Sequence, residues 1–311
     1  MKKLSIIIPV YYNEENIEPL YKDIKINLIP KLDVYNVDYE LVFIDDGSKD
    51  NSFEKINGLK ISDPHIICKK LSRNFGSHAA ILAGLSVCKG DFAVVKAADL
   101  QEPAELIIDM IDEYQKGNDV VLAIRKDRDE PFLQKLFANT YYKIFKKMTK
   151  LQMPKGGFDV FLIDRKVIDS LVYLDEKNTA LTGQILWCGY KTSNVYYSRK
   201  KREIGKSKWT LSKKIKLFED SIYSFSYMPL QIMGFVGGLI FAISIIWSIV
   251  ILINKLTNNI SVEGYTTLSI IVLLGVGLIM LSLSILGQYL WRMFDATRKR
   301  PPFIIDEDNK K

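Results

Sequence analysis

The stretch 94–103 (VVKAADLQEP) joins an apolar run to two oxygen-bearing side chains, Asp99 and Gln101. Carboxylate and amide oxygens are hard ligands that suit Mg²⁺ or Mn²⁺, and these ions also bind substrate phosphates. The spacing therefore predicts a divalent metal site at Asp99 and Gln101. A second interpretation stays open, in which Gln101 and Glu102 only cap the helix that Pro103 begins.

Two further polar clusters follow apolar runs. Asp45 and Asp46 end the run in FIDDGS, and Tyr11 follows the first run in PVYYNEEN. Tyr11 is suited to stack on a nucleotide base, while Asp45 or Asp46 is suited to accept hydrogen bonds from a base or ribose. The alternative interpretation is that the two carboxylates belong to an ordinary chain-reversing turn. Asn13 and Ser48 would then serve only as helix caps.

The segment 199–216 is rich in lysine and arginine and contains one acidic residue, Glu203. A glycine among so many cationic donors lets the backbone and the side chains close around a phosphate. The candidate phosphate ligands are Arg199, Arg202, Ser207 and Lys208. A solvated charged face is the alternative interpretation.

The first half of the chain alternates short apolar runs with amphipathic stretches. This rhythm predicts an open, doubly wound α/β sheet whose ligands bind at the carboxyl ends of the strands. Arg125 lies at one such end. The predicted strands are 4–10, 39–46, 65–71, 92–99 and 119–125, and the predicted helices are 16–28, 50–59, 77–88 and 103–116.

Two long stretches near the carboxyl end carry almost no charge. Residues 221–254 have no charged side chain, and residues 264–294 have only Arg292. About 20 apolar residues suffice to cross a bilayer, so we expect transmembrane helices at 230–253 and 265–290, with buried core helices as the alternative. Basic residues flank both outer ends, which places those ends and the α/β domain in the cytoplasm.

The chain resembles the family 2 glycosyltransferases from Leu4 to about Pro302. It is most similar to the polyprenyl-phosphate subgroup, which includes dolichyl-phosphate mannose synthase and bactoprenol glucosyltransferases. The resemblance implies a GT-A fold and inverting transfer of a single sugar from a nucleotide-sugar to a lipid phosphate. It is carried by PVYYNEEN, FIDDGS, LSRNFGSHAAILAGL, AADLQEP, SRKKREIGKSKW and the paired hydrophobic segments that end in GQYLWR.

The resemblance also implies roles for single residues. Asp99 and Gln101 would hold Mg²⁺ or Mn²⁺ on the diphosphate, and Asp99, Arg202 and Lys208 would be the catalytic set. The nucleotide-sugar would contact Pro9, Tyr11, Glu14, Asp45, Asp46 and Arg125, and the lipid phosphate would contact Arg199, Arg202, Ser207 and Lys208.

Three positions depart from the family pattern. Ala97 stands where the family usually has the first acid of Asp-x-Asp, which predicts weaker metal binding. PVYYNEEN has one residue more after its proline than the usual motif, and Phe161 stands where the family has an arginine near Asp159.

The predicted organisation is a cytoplasmic GT-A domain at 1–210, an amphipathic membrane-surface helix at 211–228, a two-helix hairpin at 229–293 and a cytoplasmic tail at 294–311. The expected partners are a nucleotide-sugar, most similar to UDP-sugars, undecaprenyl phosphate and the inner membrane. No nucleic acid is expected, and the resemblance implies a homo-oligomer such as a tetramer. A processive polysaccharide synthase and a non-catalytic lipid-binding subunit are the competing interpretations.

Overall fold

The computed structural model describes residues 1–126, 151–154, 157–174, 180–200, 264–306 and part of 228–253. The chain divides into two compact units. One comprises Met1–Ser221 together with Pro301–Lys311, and the other comprises Ile222–Arg300. All the described candidate residues lie in the first unit.

Seven strands form one mixed sheet in the order β3-β2-β1-β4-β6-β5-β7. All neighbouring strands are parallel except that β6 runs antiparallel to both β4 and β5. The strands are β1 (Lys2–Val10), β2 (Val37–Asp45), β3 (Ile66–Lys70), β4 (Phe92–Val95), β5 (Val120–Arg125), β6 (Val160–Asp164) and β7 (Thr192–Tyr197).

Helices connect the strands and cover both faces of the sheet. A π-helical turn, Ile24–Leu28, joins the first two helices. The α-helices of this first unit are α1 (Glu14–Asp23), α2 (Ile29–Val34), α3 (Ser52–Ser62), α4 (Ser77–Val87), α5 (Ala104–Gln115), α6 (Arg165–Leu174) and α7 (Leu181–Trp187). A further helix, α8 (Tyr265–Thr297), belongs to the second unit.

The near-continuous apolar character of β1 follows from its burial on both faces. Ile6 and Ile8 belong to a core layer that contains α1 and α5 side chains, whereas Ile7 belongs to the opposite layer with α4 and α6 side chains. Successive side chains of a strand point to opposite faces, so a strand covered on both sides needs apolar residues throughout. The doubly wound α/β prediction is therefore confirmed in this half of the chain.

Two details of the sheet differ from the prediction. The strand expected at 92–99 ends at Val95, because residues 97–102 form a turn in which Leu100 has a φ of 60°. The antiparallel strand β6 was also not predicted. It separates β4 from β5, which follow one another in the sequence-based strand order.

The carboxyl-terminal segment returns to the sheet edge beside β3. Leu71 and Ile305 form an antiparallel bridge. The N–H of Ser72 donates to the carbonyl of Ile304 at 2.9 Å, and the N–H of Asp306 donates to the carbonyl of Lys70 at 2.8 Å. Residues 304–306 thus cover part of an exposed strand edge.

Within the portion of the chain that the structure describes, no helix has both the length and the apolar character needed to cross a membrane. The two predicted transmembrane helices are therefore not confirmed. The predicted surface helix at 211–228 lies almost wholly outside the described residues.

Candidate active site at the carboxyl edge of the sheet

The polar clusters picked out from the sequence follow strands that point the same way. The carboxyl ends of β1, β2, β3, β4, β5 and β7 therefore share one edge of the sheet, here called the carboxyl edge. The chain runs from β1 to β2 and β3 on one side, and β4 lies on the other side of β1. Ligands of open α/β sheets bind at such a reversal of strand order.

Asp46, directly after β2, holds the loop that follows β3. Its Oδ1 accepts the N–H of Phe75 at 2.7 Å, and its Oδ2 accepts the N–H of Gly76 at 2.9 Å. The side chain is almost fully buried. Burial raises the pKa of Asp46, and the two backbone hydrogen bonds work against that rise. Asp46 therefore fixes the shape of this part of the edge, and its contact with a ribose or base stays a prediction.

Gly47 allows the two loops to touch. Its φ is +69°, and a Cβ placed there would lie 2.5 Å from the backbone carbonyl carbon of Arg73. A side chain at this position would be strained both by the backbone conformation and by the collision. The glycine of FIDDGS is therefore required for the close approach of the two loops.

Asp45, the last residue of β2, is fully buried. Its carboxylate accepts the N–H of Ser48 at 3.2 Å and lies 3.9 Å from the Nζ of Lys70. Burial raises the pKa of Asp45, while Ser48 and Lys70 lower it. The Asp45 carboxylate therefore stabilises the turn that follows β2. Its predicted contact with the nucleotide stays a prediction.

The loop after β1 is tied to the loop after β2 by serine hydroxyls. The N–H of Tyr12 donates to the Oγ of Ser48 at 2.9 Å, and the N–H of Asn13 donates to the Oγ of Ser52 at 3.1 Å. The ring of Tyr11 packs edge-on against Tyr12, with centroids 4.6 Å apart. These contacts place Tyr11 at the carboxyl edge, and its stacking on a nucleotide base stays a prediction.

Pro9 and Glu14 flank this loop. Pro9 lies in β1 opposite Ile44 of β2 and is half-buried. The Oε2 of Glu14 accepts the N–H of Asn51 at 2.8 Å, so its carboxylate joins the start of α1 to the residue before α3. The predicted contacts of both residues with a nucleotide stay predictions.

The turn after β4 carries the predicted metal ligands. Asp99 is buried, and its Oδ1 accepts the N–H of Gln101 at 3.3 Å. Its Oδ2 lies 3.3 Å from a terminal guanidinium nitrogen of Arg199. The Nε2 of Gln101 donates to the carbonyl of Lys200 at 3.0 Å, and the N–H of Lys200 donates to the carbonyl of Gln101 at 3.0 Å. The first residues of the basic segment are thus docked on the Asp99 turn.

A buried lysine, Lys96, stabilises the same turn through a hydrogen bond. Lys96 is 1% exposed, and its Nζ donates to the carbonyl of Glu102 at 2.7 Å. The carboxylate of Glu102, also buried, accepts the N–H of Ala97 at 3.2 Å. Burial lowers the pKa of Lys96 and raises the pKa of Glu102, and the charge of each group opposes the shift of the other.

Sequence reasoning did not assign a role to Lys96. A signal was present, because a lysine inside the apolar run VVKAA is followed six positions later by the acid Glu102. Lysine is almost never fully buried without a partner. The two side chains together hold both ends of the turn that presents Asp99.

Arg125, the last residue of β5, forms an ion pair with Asp159, which precedes β6. Because β6 runs in the opposite direction, its beginning lies at the carboxyl edge. The Asp159 side chain is 69% exposed and the Arg125 side chain 22%. The pair is thus accessible from solvent at this edge, and the role of Arg125 toward a phosphate is untested.

The structure therefore places most of the predicted residues on one edge of the sheet. Arg202, Ser207 and Lys208 lie outside the described residues. Those placed at the carboxyl edge are Pro9, Tyr11, Glu14, Asp45, Asp46, Asp99, Gln101, Arg125 and Arg199.

The Asp99 turn suits a divalent cation that takes most of its ligands from elsewhere. The described residues contain no cluster of three histidine, cysteine, aspartate or glutamate side chains that could hold a metal. Asp99 offers a carboxylate and Gln101 an amide oxygen, while Ala97 offers no side-chain donor. Mg²⁺ ordinarily binds through one or two carboxylates, substrate phosphates and several waters. The donor set fits that mode of binding.

Comparison with known proteins shows which family and which relatives this chain resembles. Residues 5–172 match the family described as glycosyl transferase family 2. The chain is 36% identical over 304 residues to the uncharacterized glycosyltransferase YkcC of Bacillus subtilis, which covers 97% of this chain and 93% of that protein. It is 34% identical over 309 residues to the prophage bactoprenol glucosyl transferase homolog of Escherichia coli, covering 99% of this chain and all of that protein.

Among solved structures, a similar one is glucosyl-3-phosphoglycerate synthase from Mycobacterium tuberculosis in complex with Mn²⁺, uridine diphosphate and phosphoglyceric acid. The two are 14% identical with a TM-score of 0.49, and the match covers 71% of this chain and 76% of that one.

Proposed function

Because this chain belongs to glycosyl transferase family 2, we propose that it transfers a single sugar from a nucleotide-sugar to a polyprenyl phosphate. The chain is a glycosyltransferase with a GT-A-like mixed α/β sheet. The acceptor class is supported by the relative named as a bactoprenol glucosyl transferase homolog, which aligns over nearly the whole of both chains. We further propose a UDP-sugar as donor and undecaprenyl phosphate as acceptor.

The observation that carries the proposal is the docking of the basic segment on the Asp99 turn. Arg199 lies against Asp99, and Lys200 exchanges two hydrogen bonds with Gln101. The remaining cations of the segment follow directly in the chain. We propose that these cations bind the acceptor phosphate and so bring it to the turn that would hold the donor diphosphate.

The acceptor chemistry needs few specialised groups. A phosphate monoester is already an anion near neutral pH, so no general base is required to activate it. One of its oxygens forms a bond to the anomeric carbon. The bond from that carbon to the diphosphate oxygen breaks, the electron pair leaves with the nucleoside diphosphate, and the configuration inverts. The protein therefore contributes positioning and charge stabilisation.

Separate groups would position donor and acceptor. Tyr11 would contact the base, and Asp45, Asp46, Pro9 and Glu14 would shape or contact the nucleotide side of the edge. Arg125 would bind a donor or acceptor phosphate. Arg202 and Lys208, with Ser207, would orient the lipid phosphate in line with the anomeric carbon. Arg199, which lies beside Asp99, would bind a phosphate group of either the donor or the acceptor.

Asp99 and Gln101 would hold Mg²⁺ or Mn²⁺. The cation would offset the negative charge on the departing diphosphate. The brace formed by Lys96 and Glu102 would keep the Asp99 turn in place for that purpose.

We place the reaction at the cytoplasmic face of the inner membrane, because the acceptor is lipid-anchored and the sequence carries the uncharged stretches 221–254 and 264–291. Attachment through a hairpin at 229–293, preceded by a surface helix at 211–228, belongs to this proposal. So does assembly into a homo-oligomer such as a tetramer.

The test is an incubation of membranes containing the full chain with undecaprenyl phosphate and a panel of UDP- and GDP-sugars, followed by mass measurement of the lipid fraction. We expect the mass of one sugar added to the lipid phosphate, from one donor. A ladder of added sugars would favour the processive synthase instead. Absence of any sugar-lipid with every donor would favour a non-catalytic lipid-binding subunit and contradict the proposal.

A further inference from the structure

The guanidinium of Arg199 contacts one oxygen of the carboxylate that is proposed to hold the divalent cation. A terminal nitrogen of Arg199 is 3.3 Å from Oδ2 of Asp99, and the Asp99 side chain is 10% exposed. A carboxylate at this depth has limited room for a second positive partner. A divalent ion on the same oxygen would also repel the guanidinium at short distance.

The hold of Arg199 on Asp99 is incomplete. In the part of the chain that the structure describes, a hydrogen bond joins one terminal nitrogen of Arg199 to Asp99, and the buried Nε–H of Arg199 has no acceptor there. A buried donor without a partner is costly, whereas a guanidinium that meets an oxyanion through two N–H groups satisfies both. Arg199 is therefore poised to exchange Asp99 for an anion with several oxygens.

The backbone around Arg199 is fixed while its side chain can exchange. Lys200, the next residue, is bonded to Gln101 through both its N–H and its carbonyl. These bonds hold the chain beside the turn whether or not Arg199 contacts Asp99. Opening the ion pair would therefore leave the two hydrogen bonds between Lys200 and Gln101 in place.

We propose that Arg199 competes with the divalent cation for Asp99, and that the donor diphosphate relieves this competition by taking the guanidinium. The inference rests on the proposed function for the identity of the donor. Cation and nucleotide then bind cooperatively, because the diphosphate takes Arg199 away from Asp99, and the cation on Asp99 releases Arg199 for the diphosphate. The cation alone binds weakly, which limits futile loading of the site without donor.

The experiment measures Mn²⁺ binding to the purified full chain in detergent by the electron paramagnetic resonance signal of free Mn²⁺. Each titration is done with and without saturating UDP. The test variant is Arg199→Gln. The control is Lys166→Gln, which also removes one positive charge but pairs with Asp119 at the opposite edge of the sheet. Thermal melts report whether each variant folds.

In Arg199→Gln we expect Mn²⁺ alone to bind about fivefold more tightly than in the wild type. The tightening of Mn²⁺ binding that UDP produces should shrink by about the same factor. Arg199→Lys should give an intermediate affinity, because an ammonium cannot make the planar two-donor contact. If Arg199→Gln does not fold, the Arg199→Lys variant still tests the competition between Arg199 and the cation. Lys166→Gln should match the wild type.

Unchanged or weaker binding of Mn²⁺ alone in Arg199→Gln would overturn the competition. Failure of Mn²⁺ to bind the wild type even with UDP would also overturn it, along with the assignment of a metal to Asp99. Formation of a sugar-lipid is measured separately, so either result leaves the proposed transferase function standing. If no sugar-lipid forms but Mn²⁺ binding responds to UDP and to Arg199→Gln as predicted, the proposed transferase function would be contradicted and the competition at Asp99 would stand.

Discussion

The Oδ2 of Asp46 accepts the backbone N–H of Gly76 at 2.9 Å, and the neighbouring oxygen accepts the N–H of Phe75 at 2.7 Å. One carboxylate at the end of β2 thus fixes the loop that follows β3. Asp46 was predicted to contact the nucleotide, and in the structure its carboxylate joins the end of β2 to the loop after β3.

Replacing Asp46 with alanine should destabilise the fold and weaken nucleotide binding together. The half-buried N–H groups of Phe75 and Gly76 would lose their acceptor, at a cost of about 1–3 kcal/mol in the free energy of unfolding. Thermal melts and UDP binding to the purified protein measure the two effects. Asp33→Ala, at an exposed position of α2, is the control and should change neither quantity. An Asp46→Ala variant with wild-type melting would show that the loop does not depend on this carboxylate.

Gly47→Ala should be destabilising by about 1–3 kcal/mol, because the new Cβ combines a strained backbone conformation with a collision at Arg73. Gly58→Ala is the matched control. A Cβ at Gly58, inside α3, meets nothing within 4 Å. It should therefore stabilise the protein by about 0.5–1 kcal/mol, since alanine favours a helix over glycine. Equal melting temperatures of the two variants would contradict the close approach of the two loops.

Lys96→Met should destabilise the protein more at about pH 8 than at about pH 5. Burial already raises the pKa of Glu102, and removal of the Lys96 charge should raise it further. A folded-state pKa above the unfolded value means that the folded protein holds the proton more readily. The free energy of unfolding therefore falls as pH rises through that window.

Melts of Lys96→Met and of the double variant Lys96→Met, Glu102→Gln test this pH dependence. The double variant should lose the extra pH dependence because it lacks the buried carboxylate. A penalty in Lys96→Met that is the same at both pH values would rule out electrostatic coupling between Lys96 and Glu102.

The sequence predicted the features that depend on local patterns. Buried β1 and β2 were readable because strands covered on both faces need unbroken apolar runs. The gathering of Tyr11, Asp46 and Asp99 on one edge followed from the parallel direction of their strands.

Features that depend on distant parts of the chain were not predicted. The position of β6 between β4 and β5 is set by pairing with β4, far from it in sequence. The bridge between Leu71 and Ile305 is equally remote. Nor can a sequence distinguish a carboxylate that faces a ligand from one, such as Asp46, whose oxygens already hold a neighbouring loop.

Arg202→Ala should lower sugar transfer to the lipid by about 10²-fold, because a cation that orients the acceptor and offsets developing charge would be lost. The expected signature is a large fall in transfer with UDP binding nearly unchanged, since the proposed role concerns the acceptor. Lys201→Ala, its neighbour in the same basic segment, is the control for general loss of charge. Near-normal turnover of Arg202→Ala in membranes would remove this residue from the acceptor site.

The central claim is that the Asp99 turn supports transfer of one sugar to a lipid phosphate. Its most direct test is the mass spectrum of undecaprenyl phosphate after incubation with the donor and either the wild type or Asp99→Asn. We predict a species heavier by one sugar with the wild type and none above background with Asp99→Asn. Equal amounts of that species with both proteins, or none with the wild type, would contradict the account.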